Sequence, residues 1–381
     1  MRIALVQKSL HPNNAGIIAG LRGRGHDLHL VLHVPPGTRS AVLPPDLDPV
    51  VIPYRAASVR RHAGQPKRLS RLGVPELGPL RDTLREFRPD VVIAKGDSRA
   101  VQATVQVARL LRATPVMVWD KPRTARKARA LSVLGPLVLP RRKIHMGYFG
   151  EIGSTVRLGG LLGRSLLSTY PVETAEQGVD HLRAGAEERR DGPVRFVAIG
   201  SLENRVKRLD WIIDAIADGG IADRVEVTFI GIGSESSHYY RAIREREVAR
   251  GLQASTFLLN LSHDEVLALL PTFDVLVHPS LKGLSDAVIG EAMARGVAPI
   301  CSERVGTRIC FEDGVSGLVF RSDSHEDFTA KLVGLVNDDE RRVRMRRAAL
   351  ERAERLLTPE AWAIRFEELV AQWPPARALS G

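Results

Sequence analysis

Short apolar runs that stop at glycine, proline or small polar residues recur along the chain, and each leads into a segment with apolar residues three and four apart. Arg2 to Val6, Val91 to Ala94, Pro115 to Trp119, Val194 to Ile199, Val225 to Ile230 and Asp274 to His278 have the length and content of buried strands. The segments Ile17 to His26, Leu80 to Phe87, the stretch holding Trp211, Ile212, Ile213 and Ile216, Ala287 to Gly296, Ser324 to Asn337 and Asp338 to Leu357 read as helices. Strands alternating with helices predict parallel sheets covered on both faces, here in two successions. The charged segment Glu187 to Asp191, closed by Gly192-Pro193, precedes the second.

Composition agrees with two ordinary domains: 381 residues, 44% hydrophobic and 26% charged. The only cysteines, Cys301 and Cys310, imply no disulfide framework and fit small core residues in a reducing compartment. No charged-then-apolar leader opens the sequence, and no run of about 18 apolar residues spans a bilayer, so a cytoplasmic protein is expected. A formal net charge of +11 calls for anionic partners. Nucleic acid is not among them, because the arginines are dispersed, aromatics are few and no nucleic-acid motif is present. Arg123, Arg126, Lys127 and Arg129 before the apolar segment Ala130 to Leu139, with Arg141-Arg142-Lys143 after it, leave two readings open: an anionic membrane surface at its inner face, or a helix and strand with solvated flanks. Asp46-Leu47-Asp48 has metal-binding spacing, but its proline-rich polar setting reads as surface, and no metal is expected.

The densest signal runs from Phe273 to Phe320. A strand ends at Pro279-Ser280, a loop from Leu281 to Asp286 follows, and the helix after it carries Glu291 one turn in. A loop with little side-chain bulk before a helix lets a phosphate approach the backbone.

The order His278-Pro279-Ser280, Gly283, Glu291-Ala292-Met293-Ala294, Gly296, Pro299-Ile300, Gly306, Asp313-Gly314 and Gly317-Leu318-Val319 resembles the donor-binding signature of retaining glycosyltransferases of the GT-B fold, glycosyl transferases group 1. The resemblance implies two Rossmann-like, doubly wound parallel-sheet α/β domains facing a cleft. It implies transfer of a sugar from a nucleoside-diphosphate sugar, without a metal or other cofactor and with retention, to a glycan, lipid-linked or small-molecule acceptor. Leu166 to Val172 is similar to the family's interdomain crossing, and Trp362 stands where the family has a tryptophan in a terminal crossover helix. The expected boundaries are therefore 1–168 for the acceptor domain, 169–357 for the donor domain and 358–381 for the returning helix.

Residue roles follow from the same resemblance. Glu291 would grip the donor ribose; Lys207, with Arg205 or Arg208, would hold the diphosphate, since the family's first basic position is Ser201 here. Gly16 in the first strand-to-helix turn, Gly231 of Gly231-Ile232-Gly233, and Gly283, Leu284, Ser285 and Asp286 complete the expected donor site. Asn14, Lys95, Trp119 and Asp120 are the expected acceptor contacts, with Trp119 in place of a histidine offering an aromatic face. Ile144 to Gly163, glycine-rich with Tyr148 and Phe149, is expected to be a mobile loop facing the cleft.

One departure bears on activity. The family usually carries a glutamate eight residues before Glu291, contacting the transferred sugar, and Gly283 stands there. Asp286 replaces it if the loop is one residue longer than usual; otherwise the sugar is unusual or the activity altered or lost. A non-catalytic GT-B binding protein and a nucleotide-sugar epimerase are the alternative functions.

Overall fold

The computed structural model describes residues 1–7, 14–33, 46–64, 69, 72–96, 98–119, 143–146, 155–157, 164–168, 171–172, 192–203, 205–281, 283 and 286–372. The chain forms two compact units, Met1–Pro171 with Pro359–Gly381, and Val172–Thr358.

In the first unit the strands are β1 (Arg2–Gln7), β2 (Asp27–Leu32), β3 (Val50–Val51), β4 (Val91–Lys95), β5 (Thr114–Trp119), β6 (Lys143–Met146), β7 (Thr155–Arg157) and β8 (Arg164–Ser168), in the order β3-β2-β1-β4-β5-β6-β8-β7. All neighbours are parallel except β7 and β8. Among the described residues, the helices before the second unit include α1 (Ala15–Gly23), α2 (Ala56–Arg61), α3 (Leu77–Phe87) and α4 (Arg99–Leu110). Alternation along β1 sends Ile3 and Leu5 to one face, with Ile17 and Leu21 of α1, and Ala4 and Val6 to the other, with Leu80 and Leu84 of α3. Strand order reverses between β1 and β4, so the sheet opens at their carboxyl ends, at Gln7 and Lys95.

One expectation is corrected here. Ile144 and Thr155 to Arg157 lie in strands β6 and β7, within the stretch expected to be a mobile loop. Within the stretch Leu166 to Val172, Leu166 to Ser168 belong to β8, paired with β6 through Lys143↔Ser165 and Ile144↔Leu166, and the two units divide further along it, between Pro171 and Val172. Both segments are short and glycine-flanked, which hid the strand pattern.

The second unit is a six-stranded, all-parallel sheet: β9 (Val194–Ile199), β10 (Val225–Gly231), β11 (Thr256–Leu259), β12 (Val275–His278), β13 (Ala298–Ser302) and β14 (Leu318–Phe320), ordered β11-β10-β9-β12-β13-β14. Its helices among the described residues are α5 (Asp210–Asp218), α6 (His238–Ala249), α7 (His263–Leu269), α8 (Val288–Met293), α9 (His325–Asn337) and α10 (Asp339–Leu356). Phe196, Phe229, Ile212, Ile300, Phe320 and Phe328 fill one core. Cys301 and Cys310 are buried free thiols, as expected. A charged pair is also buried: Arg346 Nη1 lies 3.3 Å from Asp274 Oδ1, with side chains only 2% and 3% exposed, and Arg346 Nε donates to the Gly296 carbonyl at 2.9 Å.

The last helix, α11 (Pro359–Ala371), starts at a proline that needs no amide partner. It packs on α1 of the first unit, placing Trp362 and Phe366 in the core with Ile17 and Leu21. The approach is close enough that a Cβ on Gly20 would lie 2.1 Å from the Pro359 carbonyl oxygen. Gly20→Ala must therefore push α1 and α11 apart, and the overpacking, roughly 1–3 kcal/mol, exceeds the gain of about 1 kcal/mol in helix propensity. A lower melting temperature for Gly20→Ala is the expected result; a higher one would contradict the contact.

Candidate functional site

Strand order in the second unit reverses between β9 and β12, and the loops leaving the two strands are joined at that point. After β9 the chain makes a 3-10 turn, Arg205–Lys207. After β12, Leu281 N donates to the Val206 carbonyl at 2.9 Å and Ser280 Oγ to the same oxygen at 3.4 Å. Beyond β13, Gly306 N donates to the Gly283 carbonyl at 2.6 Å. Three strand ends thus hold one patch of backbone in place.

Asp286 is its electrostatic centre. Its Oδ2 accepts from His278 Nε2 at 3.0 Å and from Lys207 Nζ at 3.2 Å. Burial acts to raise the Asp286 carboxyl, but His278 and Lys207 outweigh it and hold it at about 2, ionised at any working pH. Burial pushes the His278 imidazole down, so His278 is a neutral Nε2–H donor at the end of β12. The Lys207 stem runs over Gly200, where a Cβ would come within 2.9 Å of Lys207 Cγ. Gly231, an expected donor contact, is also required by packing: a Cβ there would fall 1.7 Å from the Gly200 carbonyl oxygen.

Glu291 sits in α8 with its side chain 14% exposed, and Oε1 lies 3.0 Å from Nε2 of His263 at the start of α7. The bond to Glu291 raises the His263 imidazole above its ordinary range, against an opposing effect of burial. A raised folded value means that the pair's stabilisation is complete below about pH 6.5 and is lost as pH rises through the higher folded value. We expect the melting-temperature advantage of wild type over His263→Gln to be present at pH 6 and gone by pH 8; a pH-independent gap would indicate an uncharged contact.

Of the two guanidinium candidates, Arg208 is committed elsewhere. It adopts a positive φ of 49°, donates to the Ser322 carbonyl at 2.6 Å and lies 4.1 Å over the Trp211 ring. Arg205 is exposed in the 3-10 turn. Ser201 is half-buried, and its Oγ accepts from Glu203 N at 3.2 Å. Helix α8 has six residues, short for a strong dipole, so Lys207 is the principal positive charge at this edge. Leu284 and Ser285 lie outside the described residues.

In the first unit the structure joins two expected residues and adds a third. Lys95 Nζ donates to Asn14 Oδ1 at 2.8 Å, and Asn14 Nδ2 donates to Gln7 Oε1 at 2.5 Å. The relay ends on Gln7 Nε2, a buried donor with no hydrogen-bond partner among the described residues. Gly16, one residue into α1, does not face open space: a Cβ there would lie 2.7 Å from the Pro171 carbonyl oxygen. Trp119 ends β5, its side chain outside the described residues, as are Asp120 and the basic-flanked segment Ala130 to Leu139. Asp46 pairs with Arg22 through both oxygens, the surface role read for it. Among the described residues no three of His, Cys, Asp or Glu are grouped to hold a metal ion, and no helix is long and apolar enough to cross a membrane.

Motif order assigned no role to His278, His263 or Gln7. His278 was visible in the His-Pro-Ser motif; nothing local marks the other two.

Residues 193–338 match the family described as glycosyl transferases group 1. Over 139 residues the chain is 30% identical to D-inositol 3-phosphate glycosyltransferase of Corynebacterium aurimucosum, a match covering 36% of this chain and 31% of that protein's length. Among solved structures, the Anabaena protein HepE in complex with UDP is similar with a TM-score of 0.72 at 14% identity, over 98% of this chain and 100% of that one. Sucrose-phosphate synthase of Thermosynechococcus elongatus gives a TM-score of 0.67 at 14% identity, over 98% of each chain. At such identity the likeness is one of fold: two Rossmann-like domains of the GT-B type.

Proposed function

We propose, from the group 1 glycosyl transferase domain that residues 193–338 of this chain carry, that the protein is a metal-independent, retaining glycosyltransferase using a nucleoside-diphosphate sugar. The observation that carries this reading is the grouping of Lys207, Asp286 and His278 at the β9/β12 switch point, with Glu291 on the helix that follows. Lys207 and Arg205 neutralise the leaving diphosphate, and Glu291 accepts hydrogen bonds from the donor ribose once His263 yields one oxygen. The bond from the anomeric carbon to the diphosphate breaks, and the acceptor oxygen bonds to that carbon on the same face. A departing phosphate oxygen takes the acceptor's proton, so no side-chain base is required. The fold's occurrence with UDP in the Anabaena protein supports a nucleotide donor. Of the expected donor contacts, Ser201, Gly283 and Asp286 lie along the two joined loops, and Gly16 and Gly231 stand where a side chain would clash with neighbouring backbone.

The acceptor belongs to the first unit, at the carboxyl ends of β1, β4 and β5, where Asn14, Lys95, Trp119 and Asp120 lie in the sequence. The Gln7 amide, which meets no partner among the described residues, supports a polar ligand there, a glycan, a lipid-linked sugar or a small molecule. The basic-flanked segment before Lys143 suits a role at an anionic membrane surface in polysaccharide or glycoconjugate synthesis.

The test is release of nucleoside diphosphate from a panel of nucleotide sugars with chelator present, with and without candidate acceptors, and the anomer of the product. Acceptor-dependent release with retention is expected. Acceptor-independent conversion of the sugar would indicate an epimerase. Bare Gly283 favours a second reading, a binding protein without catalysis; nucleotide binding without release would establish it.

A further inference from the structure

We infer that Asp286 supplies, from three residues further along, the sugar-contacting carboxylate that position 283 lacks, and that His278 is its positioning residue. The inference rests on the glycosyltransferase reading and adds to it how the transferred sugar is recognised. A Cβ built on Gly283 would lie 1.9 Å from Asp286 Oδ2 and 2.9 Å from its Cγ. The Asp286 carboxylate therefore occupies the volume into which any side chain at 283 would project. Gly283 and Asp286 are two halves of one feature: the glycine leaves the space and the aspartate fills it.

The carboxylate is fixed, and it is half used. Both donors, His278 Nε2 and Lys207 Nζ, engage Oδ2. Oδ1 takes no hydrogen bond among the described residues, and the side chain is 25% exposed. A charged oxygen with open lone pairs, locked from behind and partly accessible, suits a neutral donor such as a hydroxyl of the transferred sugar. A nucleoside diphosphate without the sugar gains nothing from it, since its phosphates are anionic. His278 is 2% exposed, so its Nε2–H has no competing solvent and sets the orientation of the carboxylate.

The experiment compares, by titration calorimetry and turnover, wild type with Asp286→Ala, Gly283→Ala, His278→Leu, His278→Gln and the exchange Gly283→Glu/Asp286→Gly. Asp286→Ala and Gly283→Ala, the latter by displacing the carboxylate, should lower turnover of the nucleotide sugar roughly 10- to 100-fold, the worth of one charged hydrogen bond. Affinity for the nucleoside diphosphate alone should be kept, which also shows that the variants fold. His278→Leu should lose turnover, and His278→Gln, whose Nε2 reaches as far as that of histidine, should regain most of the loss. The exchange variant should exceed Asp286→Ala. Wild-type turnover in Asp286→Ala, or an equal loss of nucleoside-diphosphate affinity, overturns the inference and leaves the enzyme reading standing. A wild type that binds no nucleotide and turns over no donor overturns both.

Discussion

Lys207→Ala is expected to lower turnover of the nucleotide sugar by about 10²- to 10³-fold, the cost of removing one preorganised group from developing negative charge. The lysine is rigid before any donor arrives: its stem lies over Gly200 and its ammonium is 3.2 Å from Asp286 Oδ2. Little reorganisation is then needed when the diphosphate accumulates charge. Loss of the lysine leaves Asp286 with its His278 donor, and a carboxyl held at about 2 has room to rise and still be ionised at pH 7. The fall therefore reports the missing cation. Lys207→Arg keeps the charge and should recover some of the rate. Steady-state kinetics with a saturating acceptor test this; a change below threefold in Lys207→Ala would remove Lys207 from the proposed chemistry.

The largest effect on stability is expected at Arg346. Arg346→Ala leaves Asp274 buried without its guanidinium and strips a donor from the Gly296 carbonyl. Breaking a buried ion pair from one side costs about 3–5 kcal/mol. Asp274 keeps a hydrogen bond from Arg195 N at 2.9 Å, which places the expected loss toward the lower end. Because Asp274 precedes β12 and Gly296 precedes β13, the pair ties together the two strands that lead into the site. Urea unfolding followed by a probe in the second unit should show a lower midpoint with little change in slope. A loss under about 1 kcal/mol would mean that water enters and solvates the aspartate.

Much of this was legible in the chain. Buried strands betray themselves by unbroken apolar content, so β1, β4, β9, β10 and β12 fall where the hydrophobic runs lie. The structure adds a capping box at the start of α7, between Ser262 and Glu265 three residues on. Strands β6, β7 and β8 were illegible because three to five residues carry no usable period, and their identity depends on pairing partners distant in sequence. In the site, Glu291 and Lys207 could be read from motif order, whereas their neighbours could not. His263 is 28 residues from Glu291 and Lys207 is 79 from Asp286, and only the parallel crossovers bring them together. The glycines carry a second requirement that the sequence does not show: at Gly16 and Gly231 a side chain would run into the backbone of Pro171 and Gly200. A glycine signals close approach without naming what approaches.

In the proposed mechanism the second unit holds a nucleotide-sugar donor through Glu291 and Lys207. The most direct measurement is the shift in melting temperature produced by nucleoside diphosphates and nucleotide sugars, with chelator present, for wild type and Glu291→Ala. We predict stabilisation of wild type by at least one nucleotide, strongly reduced in Glu291→Ala. No stabilisation by any of them, or an equal shift in both proteins, would contradict a donor site at these residues.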